Sequence, residues 1–227
     1  MVKSAIECIS LGKEYASRGQ TIHAVSGINM HVDHNELVLI KGRSGAGKST
    51  LLFLMSGLIR PTQGRVMIGE TCISEMDNPE LSHLLLHKIG IIFQDFNLLP
   101  TYTVYENIEI AQAPKNLGKE AIEELVIPLL GKFHLDDKKD SLPSELSIGQ
   151  QQKVAIIRTL VKEPSIIFAD EPTGSVDEET AGEIFQHLLF LKQVKKATIV
   201  VTSHGGFPET LADRVLIMEN GKLAGKD

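Results

Sequence analysis

The residues with the clearest chemistry are Gly42-Arg43-Ser44-Gly45-Ala46-Gly47-Lys48-Ser49, which fit the spacing G-x-x-x-x-G-K-[ST]. Glycines at these positions let the backbone curl tightly, with N–H groups pointing inward and no Cβ in the way, which is what a polyphosphate requires. The loop follows an apolar run, Leu37 to Ile40, and precedes a helical pattern over Ser49 to Leu58 that includes Thr50, so a helix N-terminus adds its positive end. In such a loop Lys48 neutralises β- and γ-phosphate oxygens, and the Ser49 hydroxyl ligates Mg²⁺. A plain glycine turn is the bland alternative, and the flanking strand and helix count against it.

The second feature is an acidic strand end. Ile166-Ile167-Phe168-Ala169 is an apolar strand that runs into Asp170 and Glu171, at the C-terminal edge where ligands of parallel sheets collect. Beside a phosphate loop, Asp170 supports the Mg²⁺ shell and Glu171 polarises a water for attack on the γ-phosphate. Alone, the pair would read as a solvated turn before Pro172.

The elements that must position these groups fall into three blocks. The first reads mainly as strands: Ala5 to Leu11, Gly27 to Val32, Glu36 to Ile40, Arg65 to Ile68 and Thr71 to Ile73. The second, about 96–162, reads as helices over Val104 to Gln112, Lys119 to Leu130 and Ile148 to Lys162, broken by Pro114, Pro128 and Pro143. The third returns to alternation: a strand over Ser165 to Ala169, a helix over Glu178 to Lys192, and strands over Ala197 to Thr202 and near Arg214 to Met218. Apolar strands alternating with helices imply an α/β fold with a largely parallel sheet covered on both faces, and with a helical lobe inserted.

Composition narrows the function classes. The 227 residues are 42% hydrophobic and 23% charged, with a formal net charge of −6, which lacks the cationic field of a general nucleic-acid binder. No apolar run reaches the ~20 residues needed to span a bilayer, and the start of the chain does not resemble a signal peptide, so a cytoplasmic location is expected. Cys8 and Cys72 have no metal-ligand spacing and read as buried free thiols. His83 and His87 at i,i+4 read as a helix face rather than a metal site.

With these residues in place, the chain resembles an ATP-binding-cassette (ABC) ATPase, because the other motifs of that family follow in its order. Gln94 in Ile91-Ile92-Phe93-Gln94 matches the Q-loop, and Leu146-Ser147-Ile148-Gly149-Gln150 is similar to the LSGGQ signature. Ser175-Val176-Asp177 matches the D-loop, His204 the switch histidine, and Tyr15 the aromatic residue that stacks on adenine. The resemblance implies a P-loop NTPase core with an N-terminal antiparallel β subdomain and an inserted helical subdomain. It implies one nucleotide-binding domain over 1–227, with about 1–95 and 163–227 as core and about 96–162 as the helical part.

The same resemblance implies a cofactor-binding set of Tyr15, Gly42, Arg43, Ser44, Gly45, Ala46, Gly47, Lys48, Ser49 and Thr50 from one subunit, with Ser147, Gly149, Gln150 and Asp177 completing the site from a second. Glu171, His204, Lys48 and Gln94 are the implied catalytic residues, and Ser49, Gln94 and Asp170 the Mg²⁺ ligands. ATP and Mg²⁺ are the expected cofactors. The expected partners are a second copy, in an ATP-dependent head-to-tail dimer, and a separate membrane permease, through which alone the subunit meets the inner face of the membrane. No nucleic-acid partner is expected.

Several residues carry a competing structural role. Ser147-x-x-Gln150 is also a capping box, and Asp177 followed by Glu178 and Glu179 is also a helix N-cap. Two departures from the family stand out: Ile148 replaces the first glycine of the signature pair, and Gly205-Gly206 follows His204, which predicts a more mobile loop. The stretch Phe93 to Pro100, with Thr103 to Asn107 and Pro172 to Asp177, is similar to the branch serving lipoprotein release, macrolide export and peptide-antibiotic resistance. Phe96, Leu98, Leu99, Pro100 and Tyr102 crowd apolar groups into a connection, as a permease-docking groove would; the lesser, competing reading plugs Leu98 and Leu99 into the core. The rival functions are a soluble non-transport ABC ATPase or nucleotide switch, and a P-loop kinase.

Overall fold

The computed structural model describes residues 4–17, 19–115 and 117–224, so the N-terminal residues 1–3 used above lie outside the described residues. Two sheets organise the chain. A hairpin of β1 (Ile6–Ser17) and β2 (Gln20–Val32) joins β4 (Gln63–Ile68) and β5 (Thr71–Cys72) in an antiparallel sheet ordered β2-β1-β4-β5. The hairpin strands extend well beyond the apolar runs of the sequence, because their distal halves lie in solvent and carry polar side chains such as Glu14, Gln20, Thr21 and His23. Cys8 is buried in this sheet, its thiol pushed up to about 12 by burial and by the charge of Glu7, while Cys72 is half-buried.

The second sheet is ordered β10-β9-β3-β8-β7-β6, comprising β3 (Leu37–Lys41), β6 (Ile89–Ile92), β7 (Ile166–Asp170), β8 (Thr198–Ser203), β9 (Arg214–Glu219) and β10 (Lys222–Ala224). All its neighbouring pairs are parallel except β9 with β10. Every residue of β7 and β8 is buried, as strands covered on both faces must be. Alternation along these strands divides the core. Val38, Ile40, Phe168 and Val200 face α1 (Lys48–Ser56) and the antiparallel sheet, while Leu37, Leu39, Ile167, Ala169, Ile199 and Val201 face the helical segment 104–161 and α6 (Glu178–Lys195).

The helical segment departs from the sequence reading at its prolines. α3 spans only Val104–Glu109 and passes into a 3₁₀ turn, Ile110–Lys115, that contains Pro114. α4 (Lys119–Lys132) runs through Pro128 instead of breaking, since the proline sits on the exposed face and water can take the carbonyl it frees. α5 (Ile148–Leu160) packs against α3, and α2 (Asn78–His87) precedes β6.

Candidate functional site

The turn between β3 and α1 is shaped by close backbone approaches. A Cβ on Gly42 would lie 2.3 Å from the Met218 carbonyl oxygen, and one on Gly47, at φ 101°, 2.2 Å from that of Ala24. Gly47 is also the N-cap of α1 and contributes no side chain, so the helix begins with its N–H groups uncovered, whereas α2, α3, α5 and α6 are capped by Asp77, Thr103, Ser147 and Asp177. A cleft of about 520 Å³ opens there, lined by Ser44, Gly45, Gly47, Lys48, Ser49, Thr50, Gln94 and Glu171, with Ile22, His23 and Ala24 of β2 and Asn220 and Gly221 across from them. Gly42, Arg43 and Ala46 line the neighbouring concavity together with Ser44, Gly45 and His204.

The buried polar groups at the base converge. Lys48, 5% exposed, donates to the carbonyls of Gly42 at 3.0 Å and Arg43 at 3.3 Å, and its Nζ lies 3.2 Å from Glu171 Oε1. The other Glu171 oxygen bonds His204 Nδ1. Asp170, 4% exposed, accepts from Ser49 Oγ at 2.9 Å and from Thr202 Oγ1 at 2.5 Å. Glu171 turns out of β7 at φ 45°, and its N–H donates to both Thr202 oxygens, the carbonyl at 3.1 Å and the hydroxyl at 3.2 Å. Three adjacent parallel strands, β3, β8 and β7, thus bring their C-terminal ends to one place.

Thr202 was not singled out from sequence, although it ties both acidic residues; its one signal is its place two residues before His204 on the same strand end. The loop after His204 is tied down, contrary to the expectation from Gly205-Gly206. Ser203 Oγ accepts from the N–H groups of Gly205 at 3.1 Å and Phe207 at 3.2 Å, and Phe207 is buried edge-on against Phe185.

Other expected residues stand apart from this cleft. Tyr15 is exposed on β1 opposite Ile22, on the same sheet face as that cleft residue, with Lys13 Nζ 5.2 Å from its ring centre. Ser147 and Gln150 form the full capping box of α5: Gln150 N–H donates to Ser147 Oγ at 3.3 Å and Ser147 N–H to Gln150 Oε1 at 2.9 Å. Gly149 packs against Thr180, which donates to Asp177 from its N–H at 2.9 Å and its hydroxyl at 3.0 Å. These bonds hold the Asp177 carboxyl below the usual range. Ser147, Gly149, Gln150 and Asp177 therefore form a second cluster at the N-termini of α5 and α6, and none of them lines the cleft. Ile148 is 54% exposed beside them.

Loop 94–103 separates into two kinds of residue. Leu98 packs against the core, while Leu99, Pro100 and Tyr102 are exposed and Phe96 is half-buried. The fully buried Asn107 holds the loop, accepting from Leu99 N–H at 2.7 Å and donating to the carbonyls of Leu99, Tyr102 and Thr103 at 3.1, 2.9 and 3.0 Å.

A parallel sheet with a glycine loop, lysine and serine after an interior strand and two acids at the end of the strand next but one defines the class of P-loop NTPases. Comparison with known proteins narrows the class. The sequence matches the family described as ABC transporter over residues 25–174. It is 39% identical to a methionine import ATP-binding protein of Rhodopseudomonas palustris, over 93% of this chain and 57% of that one. It is 37% identical to the ABC transporter ATP-binding protein YtrE of Bacillus subtilis, over 95% of this chain and 93% of that one. The chain thus spans little more than half of the first relative and nearly all of the second. The dimeric structure of the ATP-binding cassette MJ0796 bound to ADP and Pi in a post-hydrolysis state superposes with a TM-score of 0.93 at 32% identity, covering 98% of this chain and 97% of that one. The chain belongs to the ABC transporter family. Among the described residues, no helix is long and apolar enough to cross a membrane.

Proposed function

We propose that this cassette binds MgATP in the cleft at Gly42 to Thr50 and hydrolyses it as a head-to-tail dimer to drive a separate membrane permease. The observation that carries the reading is the split of the expected site into two clusters. Lys48, Ser49, Gln94 and Glu171 line the cleft, with Asp170 bonded to Ser49 and His204 to Glu171, while Ser147, Gly149 and Asp177 sit outside it at two exposed helix starts. A second copy can supply the missing cluster, and the likeness to the dimeric ATP-binding cassette MJ0796 supports that arrangement.

The residues fit Mg²⁺. Asp170 is a buried carboxylate bonded to two hydroxyls, one of them Ser49, so a hard oxygen pair is already assembled. No cluster of three acidic, histidine or cysteine groups stands ready to enclose a metal among the described residues, as suits an ion that keeps waters and phosphate oxygens. When bound, Mg²⁺ spreads the charge of the β- and γ-phosphates. Ser49 and Asp170 would hold it, with Gln94 at the cleft wall. Lys48 exchanges the loop carbonyls and Glu171 for phosphate oxygens. Glu171 then accepts the proton of the attacking water, and His204, bonded to the same carboxylate, orients it. Tyr15, beside Ile22 at the cleft mouth, offers its ring to adenine. Ser147 serves its own helix in the single chain and turns to the partner's γ-phosphate in the dimer, with Gly149, Gln150 and Asp177 beside it.

In this reading, 96–162 is the helical part of one domain, the rest is the core, and the subunit sits on the cytoplasmic face of the membrane through its permease. The relatives include importer cassettes, whereas the loop residues resemble the export branch; the chemistry proposed is common to both. The docking surface is the exposed edge of loop 94–103, at Leu99, Pro100 and Tyr102 with the half-buried Phe96. Phe96→Ser with Tyr102→Ser tests it: near-normal ATPase and melting of the isolated subunit, with co-purification of the permease from detergent-solubilised membranes lost. Retained co-purification refutes the docking surface. ATPase activity that is first order in protein concentration down to nanomolar levels refutes the shared site.

A further inference from the structure

On the reading of Gln94 as an ATPase-site residue, we infer that Arg158 is a positioning residue that clamps the turn carrying Gln94 to the signature helix α5. The turn is strained. Phe96 and Asn97 follow each other in the left-handed region, at φ 58° and 49°. That conformation is sterically disfavoured for any residue with a Cβ, and a phenylalanine there persists only where the surroundings hold it. Within the turn, Asn97 N–H reaches the Asp95 carbonyl at 2.5 Å and Phe96 N–H the Phe93 carbonyl at 3.4 Å, and neither bond sets the direction of the next two carbonyls.

Arg158 takes both of those carbonyls. Its Nη2 donates to Phe96 O at 2.6 Å and its Nη1 to Asn97 O at 2.5 Å. The guanidinium is half-buried, and burial lowers its pKa below the ordinary arginine value. No carboxylate among the described residues lies within ion-pair distance of it, so its charge is committed to the turn. A planar fork with two parallel donors suits two successive carbonyls, whereas a lysine ammonium would place one point charge there.

The neighbouring residue makes a second tie. Thr159 Oγ1 donates to Ile91 O at 2.9 Å, at the end of β6. Gln94 lies between the two ties, and both come from consecutive residues of α5. Roughly three helical turns away, the same helix begins at Ser147, Ile148 and Gly149. A shift of the signature end therefore reaches Gln94 through the last turn of α5, and the strained turn transmits it because it has little freedom of its own.

The test is steady-state ATP hydrolysis by the full chain and by Arg158→Lys, Gln94→Ala and the double variant, with fluorescent-nucleotide titration and thermal melting of each. Arg158→Lys is expected to lower kcat by about tenfold to a hundredfold, the scale of misplacing a catalytic group. Nucleotide Kd and KM stay within about twofold of the wild type, since the phosphate loop is untouched. In the Gln94→Ala background the same substitution adds no further loss, which a merely structural role would not produce. A full Arg158→Lys effect in that background, or normal kcat in Arg158→Lys while Gln94→Ala is impaired, overturns the proposal alone. Normal turnover by Gln94→Ala overturns the reading of Gln94 and the proposal with it. Should Arg158→Lys melt below assay temperature, Arg158→Gln is read in the same way, and failure of both to fold overturns positioning in favour of a structural role.

Discussion

Replacing Glu171 with glutamine separates binding from chemistry, because of where its two oxygens lie. One is 3.2 Å from Lys48 Nζ, the other bonds His204, and the side chain is only 9% exposed. At that separation, with an effective dielectric constant near 20, the attraction to Lys48 is about 5 kcal/mol before desolvation is counted. The amide keeps the shape and one accepting oxygen, and Lys48 keeps the Gly42 and Arg43 carbonyls, so the net loss to the fold is expected to be about 1–2 kcal/mol, that of a weakened hydrogen bond and not of an unpartnered buried charge. For a chain of this length that is a fall of about 2–8 °C in Tm.

Turnover should suffer far more. A positioned general base contributes about 10²- to 10⁴-fold, or roughly 3–5 kcal/mol of barrier, and an amide cannot take the water's proton. Nucleotide affinity should hold or rise, because the phosphate no longer competes with a carboxylate for Lys48. Phosphate release at saturating MgATP, fluorescent-nucleotide titration and size-exclusion chromatography with MgATP read these effects together. The expected result is a kcat lower by about two to four orders of magnitude, an unchanged or lower Kd, and a trapped dimer. A kcat within about threefold of the wild type, or affinity lost in parallel with turnover, would refute the role of Glu171 as base.

Tyr15→Ala should weaken ATP binding by about 1–3 kcal/mol, the scale of one aromatic stack on a base, and GTP binding similarly; a titration without loss would make Tyr15 a surface strand residue only. Ile148→Gly removes an exposed branched side chain at the first position of α5, where helix propensity costs at most about 1 kcal/mol, so basal ATPase should rise with little change in melting. The rise is expected because the β-branched Ile148 stands where the signature helix start approaches the partner's phosphate, and a slower enzyme with normal melting would show that it does not crowd that approach. His187 stacks on Phe133 with ring centres 3.8 Å apart, and burial lowers its pKa from 6.5 to about 4. Because the unfolded chain takes the proton first, stability should fall as pH drops from about 6.5 to about 4 and level off below. His187→Phe should flatten that part of the Tm–pH curve, and an unchanged slope would place the pH dependence elsewhere.

Much of this site can be read from local order along the chain. A phosphate loop needs glycines at close intervals between a strand and a helix, and Gly42 to Ser49 announces itself because every requirement is satisfied by neighbours in sequence. The apolar runs of β3, β7 and β8 are equally legible, since strands buried on both faces leave no room for polar residues. Tertiary structure alone decided the rest. It brings Thr202 to Asp170 and His204 to Glu171 across 32 and 33 residues, because β7 and β8 are parallel neighbours joined through a helix on the sheet's face. The hairpin's polar half and the passage of α4 through Pro128 depend on which face meets water, and a one-dimensional pattern does not record that. Arg158 is silent in the sequence for the same reason: its partners are main-chain carbonyls, which every residue has, and only the path of the chain aims two of them at one guanidinium.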